Sequence, residues 1–174
     1  CIRDSHRNAI LEDLPVIVAI YNSTIPGRMV TADTEPVTVT SKLDWFRKHN
    51  DETRPIWMIY NDEHQLIGWA SFSDFYGRPA YNGTAEISIY LDEKFRGQGW
   101  GKQILKLAIE KSAQFNIHTL LGFIFGNNKP SLQLFLSEGF EVWGQLPSVA
   151  ILDDKYIDLI IVGLKIDTSP ILTT

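Results

Sequence analysis

Tyr90-Leu91-Asp92-Glu93-Lys94-Phe95-Arg96-Gly97-Gln98-Gly99-Trp100-Gly101-Lys102 is the stretch that decides the fold. Upstream of it, residues 84–91 alternate Ala85, Ile87, Ile89 and Leu91 against Thr84, Glu86, Ser88 and Tyr90. A period of two predicts a half-buried strand. Downstream, residues 99–115 carry Ile104, Leu105, Ala108 and Ile109 as one apolar stripe, which predicts an amphipathic helix. Between them stand Gly97, Gly99 and Gly101. Glycines let successive N–H groups converge on an anion, and the helix N-terminus adds its positive dipole end. Arg96 and Lys102 add full charges beside it. The segment reads as a phosphate site. A Walker A loop needs glycine where Arg96 stands and Ser or Thr where Gln103 stands, so it does not match. The glycine spacing also fails the G-x-G-x-x-G dinucleotide pattern. Taken alone, the loop has a plain glycine-rich strand-to-helix turn as its lesser alternative reading.

Working outward, the pattern predicts strands at 2–4, 56–60, 66–74, 119–125, 140–149 and 156–165. Helices are expected at 12–23, with Pro15 in the first turn, at 41–48, capped by Ser41, and at 130–138, closed by Gly139. Turns fall at 61–64 and at Asp153-Asp154, and residues 24–39 form a loop. A hairpin region, one strand-helix-strand unit and a terminal hairpin argue for an α+β fold. It has a mixed sheet of about seven strands flanked by helices, not a doubly wound parallel sheet.

The 174 residues suit one domain, expected over 1–166 with a polar tail at 167–174. With 44% hydrophobic and 11% aromatic residues the chain has ample material for a core. No apolar run approaches the roughly 18–20 residues of a membrane span. The net charge of -5 argues against nucleic acid as a partner. One cysteine, Cys1, cannot form an internal disulfide, and no Cys/His spacing suggests a metal. No signal peptide is visible, so a reducing cytoplasm is expected.

Arg96 to Gly101 also reads R-x-x-G-x-G. After a strand and before a helix, it resembles the pyrophosphate loop of the GCN5-related N-acetyltransferases (GNAT), which bind acetyl-CoA. Asn128, Ser131, Leu134, Phe135, Gly139 and Phe140 keep the spacing of the superfamily's N-x-x-A/S-x-x-L-Y-x-x-x-G-F segment. Residues 75–91 and 144–150, with Tyr21-Asn22, resemble the phosphinothricin acetyltransferase subfamily over nearly the whole chain.

The resemblance implies an enzyme that acetylates the α-amine of an amino acid or analogue. Phosphinothricin, methionine sulfoximine and methionine sulfone are acceptors of this type. It implies acetyl-CoA as co-substrate, held by Arg96, Gly97, Gln98, Gly99, Trp100, Gly101 and Lys102 at the pyrophosphate. Asn128, Ser131 and Phe135 would line the pantetheine arm. Ile89, Tyr90 and Leu91 would present unpaired backbone where the strand splays at a bulge. The family often has tyrosine as general acid where Phe135 stands, so here the thiolate either leaves unassisted or takes its proton from water or another tyrosine.

Glu86 is the expected general base. Its side chain lies opposite Ile87 and Ile89, one strand-length from the phosphate loop, and acetyl transfer requires a neutral amine. Alone it reads as well as a solvated strand charge. The resemblance implies that Arg78 holds the acceptor carboxylate, for which its fork is suited. Tyr76, Tyr81 and Ser88 are candidate acceptor-lining residues. The four histidines are read as structural, and Trp45 and Trp57 as core. A small-molecule amine is the expected partner, with no nucleic acid, membrane or metal, and a homodimer is implied by resemblance. Acetylation of a protein or peptide, or acyl-CoA sensing without turnover, are the rival functions.

Overall fold

The computed structural model describes residues 6–167. Seven strands and four α-helices run β1 His6–Asn8, α1 Leu14–Asn22, α2 Val39–Arg47, β2 Ile56–Tyr60, β3 Leu66–Asp74 and β4 Thr84–Leu91. They continue as α3 Trp100–Lys111, β5 Thr119–Phe125, α4 Lys129–Ser137, β6 Glu141–Leu152 and β7 Lys155–Lys165. The sheet order is β1-β2-β3-β4-β5-β7-β6. Among the described strands only β4 and β5 pair in parallel, across the α3 connection. The fold is the expected α+β arrangement with a mixed seven-stranded sheet.

Four strands, β2 to β5, and the Asp153-Asp154 turn coincide with the sequence reading. The strand expected at 2–4 lies outside the described residues, as does most of the tail, and β1 stands at His6–Asn8. The second helix is capped by Thr38, not Ser41. Thr38 Oγ1 accepts from the Ser41 N–H at 3.1 Å and Ser41 Oγ accepts from the Thr38 N–H at 3.2 Å. Ser41 therefore completes a capping box as its third residue. The helix expected to reach residue 115 ends at Lys111 and tightens into a 3₁₀ turn over Ser112–Phe115.

Alternation on the central strands divides the core between the two sheet faces. Trp57, Ile59, Phe72, Ala85 and Ile87 pack with Ile104, Leu105, Leu107 and Ala108 of α3. Ile56, Met58 and Trp69 turn the other way and meet Leu14, Ile17, Val18 and Ile20 of α1. Trp57 is core as expected, with its ring 4.9 Å from Phe72 edge-on. Such a ring pair adds about 0.5–1.5 kcal/mol beyond the area it buries. Glu86, Ser88 and Tyr90 sit on the α1 side of β4, and Ala85 and Ile87 on the α3 side.

The sheet opens at its centre. β4 holds register with β3 from Ala85 to Leu91, and β5 with β7 along its whole length. Between β4 and β5 only Thr84, Ala85 and Glu86 find partners, at Thr119, Leu120 and Leu121. Beyond Glu86 the strands diverge. This corrects the expected bulge, because the β3–β4 register is unbroken and the splay comes from β5 following β7. No helix among the described residues is long and apolar enough to cross a membrane.

Candidate active site

The divergence of β4 from β5 creates a groove of about 580 Å³. One side is the backbone of β4 from Glu86 to Leu91, and the other is Gly122 to Phe125 of β5. Gly101, Asn128, Ser131 and Phe135 approach from the α3–α4 side, and Met29 to Ala32 cross from the loop after α1. A second cavity of about 330 Å³ lies between the sheet and helices α1 and α2. Glu86, Ser88 and Tyr90 line both. A molecule in the groove and another in the cavity would thus meet along one face of one strand.

The phosphate end is built by backbone. Gly97 and Gly99 take φ of +73° and +83°, a conformation that costs a side-chain-bearing residue roughly 1–2 kcal/mol. A Cβ at either would meet nothing within 4 Å, so the loop faces open space. Gly99 is the N-cap of α3 and no side chain caps this helix. Its first-turn N–H groups are therefore available to an anion. The two expected cations are engaged elsewhere. Arg96 Nε donates to the Leu91 carbonyl at 3.1 Å and its Nη2 to Ser23 Oγ at 2.7 Å. Lys102 Nζ pairs with Glu138 at 3.2 Å. Gln98 Nε2 donates to the Lys94 carbonyl, and Trp100 packs on the core with Nε1 buried and partnerless among the described residues.

Asn128 is buried at the head of α4. Its Oδ1 accepts from the Ser131 N–H and its Nδ2 donates to the Met29 carbonyl. Phe135 packs on Phe140 at 4.9 Å and against Gly122, where a Cβ would come within 2.8 Å of the ring. Phe135 thus packs on α4's neighbours while also lining the groove.

On the cavity side, burial pushes the Glu86 carboxyl above the ordinary carboxylate range, and a hydrogen bond from Ser88 opposes the shift. Burial also raises the Tyr90 phenol, whose ring stacks on Trp69 at 4.5 Å. The Tyr21 phenol is pushed up to about 12 by burial and by Asp33, whose carboxylate accepts from its hydroxyl.

Tyr76, Arg78 and Tyr81 are not brought to either cavity. All are exposed on the connection between β3 and β4. Tyr76 and Tyr81 pack with Phe75, and Phe75 stacks at 6.3 Å on Phe123 at the groove's far edge.

The Acetyltransferase (GNAT) family model matches residues 17–140. The chain belongs to the GNAT acetyltransferase family. It is 50% identical to the Bacillus subtilis protein named "Putative phosphinothricin acetyltransferase YwnH", over 88% of this chain and 94% of that one. It is 31% identical to the L-methionine sulfoximine/L-methionine sulfone acetyltransferase of Pseudomonas aeruginosa, over 94% and 95%. A Salmonella typhimurium acetyltransferase solved with its cofactor acetyl-CoA superposes with a TM-score of 0.84 at 25% identity, covering 94% of each chain. By family this GNAT chain is an N-acetyltransferase.

Several residues lining the α1/α2 cavity escaped the sequence reading. Trp45, expected in the core, lines the α1/α2 cavity and meets Trp69 at 5.6 Å. Lys42 lies one helical turn before it on the same wall. Ser71 and Ser73 face the cavity from β3, and Ser73 bonds His49 Nε2 at 3.1 Å. The i,i+3 spacing of Lys42 and Trp45 put them on one face, but no local signal says which cavity that face meets.

Proposed function

We propose that this enzyme transfers acetyl from acetyl-CoA to the α-amine of a free amino acid or analogue, with Glu86 as general base. Phosphinothricin, methionine sulfoximine and methionine sulfone define the acceptor type. The names of the relatives support that class. The observation that carries the reading is the junction of two cavities at Glu86, Ser88 and Tyr90.

The groove suits acetyl-CoA. Its volume falls in the range of small-molecule sites, and the glycine loop with its uncapped helix suits a pyrophosphate. Gly97 to Lys102 would hold that group, largely through backbone N–H. Arg96 would brace the loop against Leu91 and Ser23. Ile89, Tyr90, Leu91, Asn128, Ser131 and Phe135 would line the pantetheine arm. When bound, the thioester supplies the activated acetyl group.

The chain's own residues do the rest. Glu86 takes one proton from the acceptor ammonium onto its carboxylate, which frees the nitrogen lone pair. As the C–N bond forms and the C–S bond breaks, the second proton shed by the nitrogen would leave with the CoA thiolate. A raised carboxyl pKa makes that transfer less uphill. The edge of β4 beyond Glu86 has no strand partner on the β5 side, so its N–H groups can face developing negative charge. Trp45, Trp69 and Val37 would give the acceptor apolar walls to pack against. A cavity of about 330 Å³ is of a size that suits a small acceptor.

A homodimer joined along β6 completes the reading. β6 is a sheet edge of 12 residues that exposes Val142, Leu146 and Ile151. A long apolar edge is a template for pairing with another chain.

The test is CoA release with free amino acids, methionine sulfone, methionine sulfoximine, phosphinothricin and a lysine peptide. Release with one or more of the small acceptors is expected. Release with the peptide alone would move the function to protein acetylation. Binding of acetyl-CoA with no release across the panel would favour a sensor.

A further inference from the structure

Of the residues lining the α1/α2 cavity, Glu86 and Lys42 are the two with formal charges. The other walls are apolar, aromatic or hydroxyl-bearing, and include Trp45, Trp69, Ser71 and Ser73. Lys42 forms no ion pair with a described residue. Asp33 accepts from Tyr21, and Asp44 pairs with Arg47. The Lys42 ammonium instead lies 4.9 Å from the Tyr21 ring centre. That contact holds a cation in place without neutralising it.

A cavity with one cation, one carboxylate and apolar walls complements a small dipolar molecule. An α-amino acid at neutral pH is one, with an ammonium and a carboxylate on adjacent carbons. We propose that Lys42 binds the α-carboxylate of the acceptor, while the ammonium is turned to Glu86. This rests on the amino-acid reading above and names the cation that reading needs. Arg78 does not meet the same description. It is exposed on the β3–β4 connection and lines neither cavity. Lys42 and Glu86 thereby set specificity together. An acceptor lacking the carboxylate leaves Lys42 facing an apolar wall, and one lacking the amine gives Glu86 nothing to deprotonate.

The experiment compares each accepted amino acid with its methyl ester in the parent, Lys42→Met and Lys42→Arg. Methionine keeps the length of the stem and removes the charge. Lys42→Met should raise KM for the free acid roughly 10- to 100-fold, the worth of a charged hydrogen bond. KM for acetyl-CoA should stay within about threefold, as expected of a residue that lines the cavity and not the groove. The parent's preference for the acid over the ester should collapse, and Lys42→Arg should restore part of it.

An unchanged acid KM in Lys42→Met would overturn the proposal, as would an equal rise for acid and ester. Loss of acid preference in Arg78→Ala instead would move the carboxylate site to the β3–β4 connection. A parent that turns over no free amino acid would overturn the amino-acid reading and this proposal together. Turnover by the parent with an indifferent Lys42→Met would overturn this proposal alone.

Discussion

Asn128 Nδ2 donates to the Met29 carbonyl oxygen at 3.1 Å, while its Oδ1 accepts from the Ser131 N–H at 3.2 Å. One buried side chain thus caps α4 and ties the loop after α1 across the groove. The two halves of the amide can be separated. Asn128→Ala should lower stability by about 1 kcal/mol, as the loss of an N-cap does, and should raise KM for acetyl-CoA. Asn128→Asp keeps the cap but replaces the donor with an oxygen facing the Met29 carbonyl. It should retain the helix and still weaken acetyl-CoA binding. Urea unfolding beside acetyl-CoA KM separates the two, and an equal stability loss in both variants would contradict the division.

The Glu86 carboxyl is raised by burial, and the sign of its effect on rate follows. Below its pKa the group is protonated and cannot accept the ammonium proton. kcat/KM should therefore climb with pH through an acid limb above the ordinary carboxylate range. Stability should move the other way. A folded pKa above the unfolded value means stability present at low pH is lost as pH rises through the folded value. Glu86→Gln should accordingly gain thermal stability over the parent above that pKa and not below it. Melts of both proteins from pH 4 to 9 check this (roughly the span over which a raised carboxyl titrates).

Arg54 fixes the connection that carries Tyr76, Arg78 and Tyr81. Its buried guanidinium bonds Asp74 at 2.7 Å, the Asn82 carbonyl at 2.6 Å and the Thr53 carbonyl at 2.8 Å. Arg54→Ala should cost about 1–3 kcal/mol, because it leaves carbonyl groups without their donors. Hydrogen exchange over residues 75–83 should quicken more than over β4. A uniform change across the sheet would argue that Arg54 supports the core and not this connection.

The homodimer predicts a mass effect. Val142→Lys with Ile151→Lys places charge on two exposed apolar positions of the β6 edge. Light scattering should show a dimer for the parent and a monomer for the double variant. A parent that is monomeric at tens of micromolar would remove the dimer from the account.

The strands from β2 to β5 were legible because alternation and turn residues stand beside one another in the chain. The glycine loop was legible for the same reason, as its three glycines and the helix they open are local. Glu86 was placed on the correct face by parity alone. The partners of Arg96 and Lys102 were not visible, because each charge turns to an oxygen brought in by another element. Thr38 was passed over as a cap since Ser41, the other half of the capping box, sits closer to the apolar run. Lys42 and Trp45 read as one side of a short helix. Only the packing of α2 over β3 and β4 makes that side a cavity wall. The splay likewise belongs to four strands at once.

The account stands most directly on Glu86, and the decisive measurement is kcat of Glu86→Gln with both substrates saturating, alongside its affinity for acetyl-CoA. Glutamine keeps the shape and cannot take the ammonium proton. The account predicts a fall in kcat of roughly 10²- to 10⁴-fold, the contribution of a positioned general base, with acetyl-CoA affinity nearly unchanged. Turnover at the parent rate would remove Glu86 from the reaction.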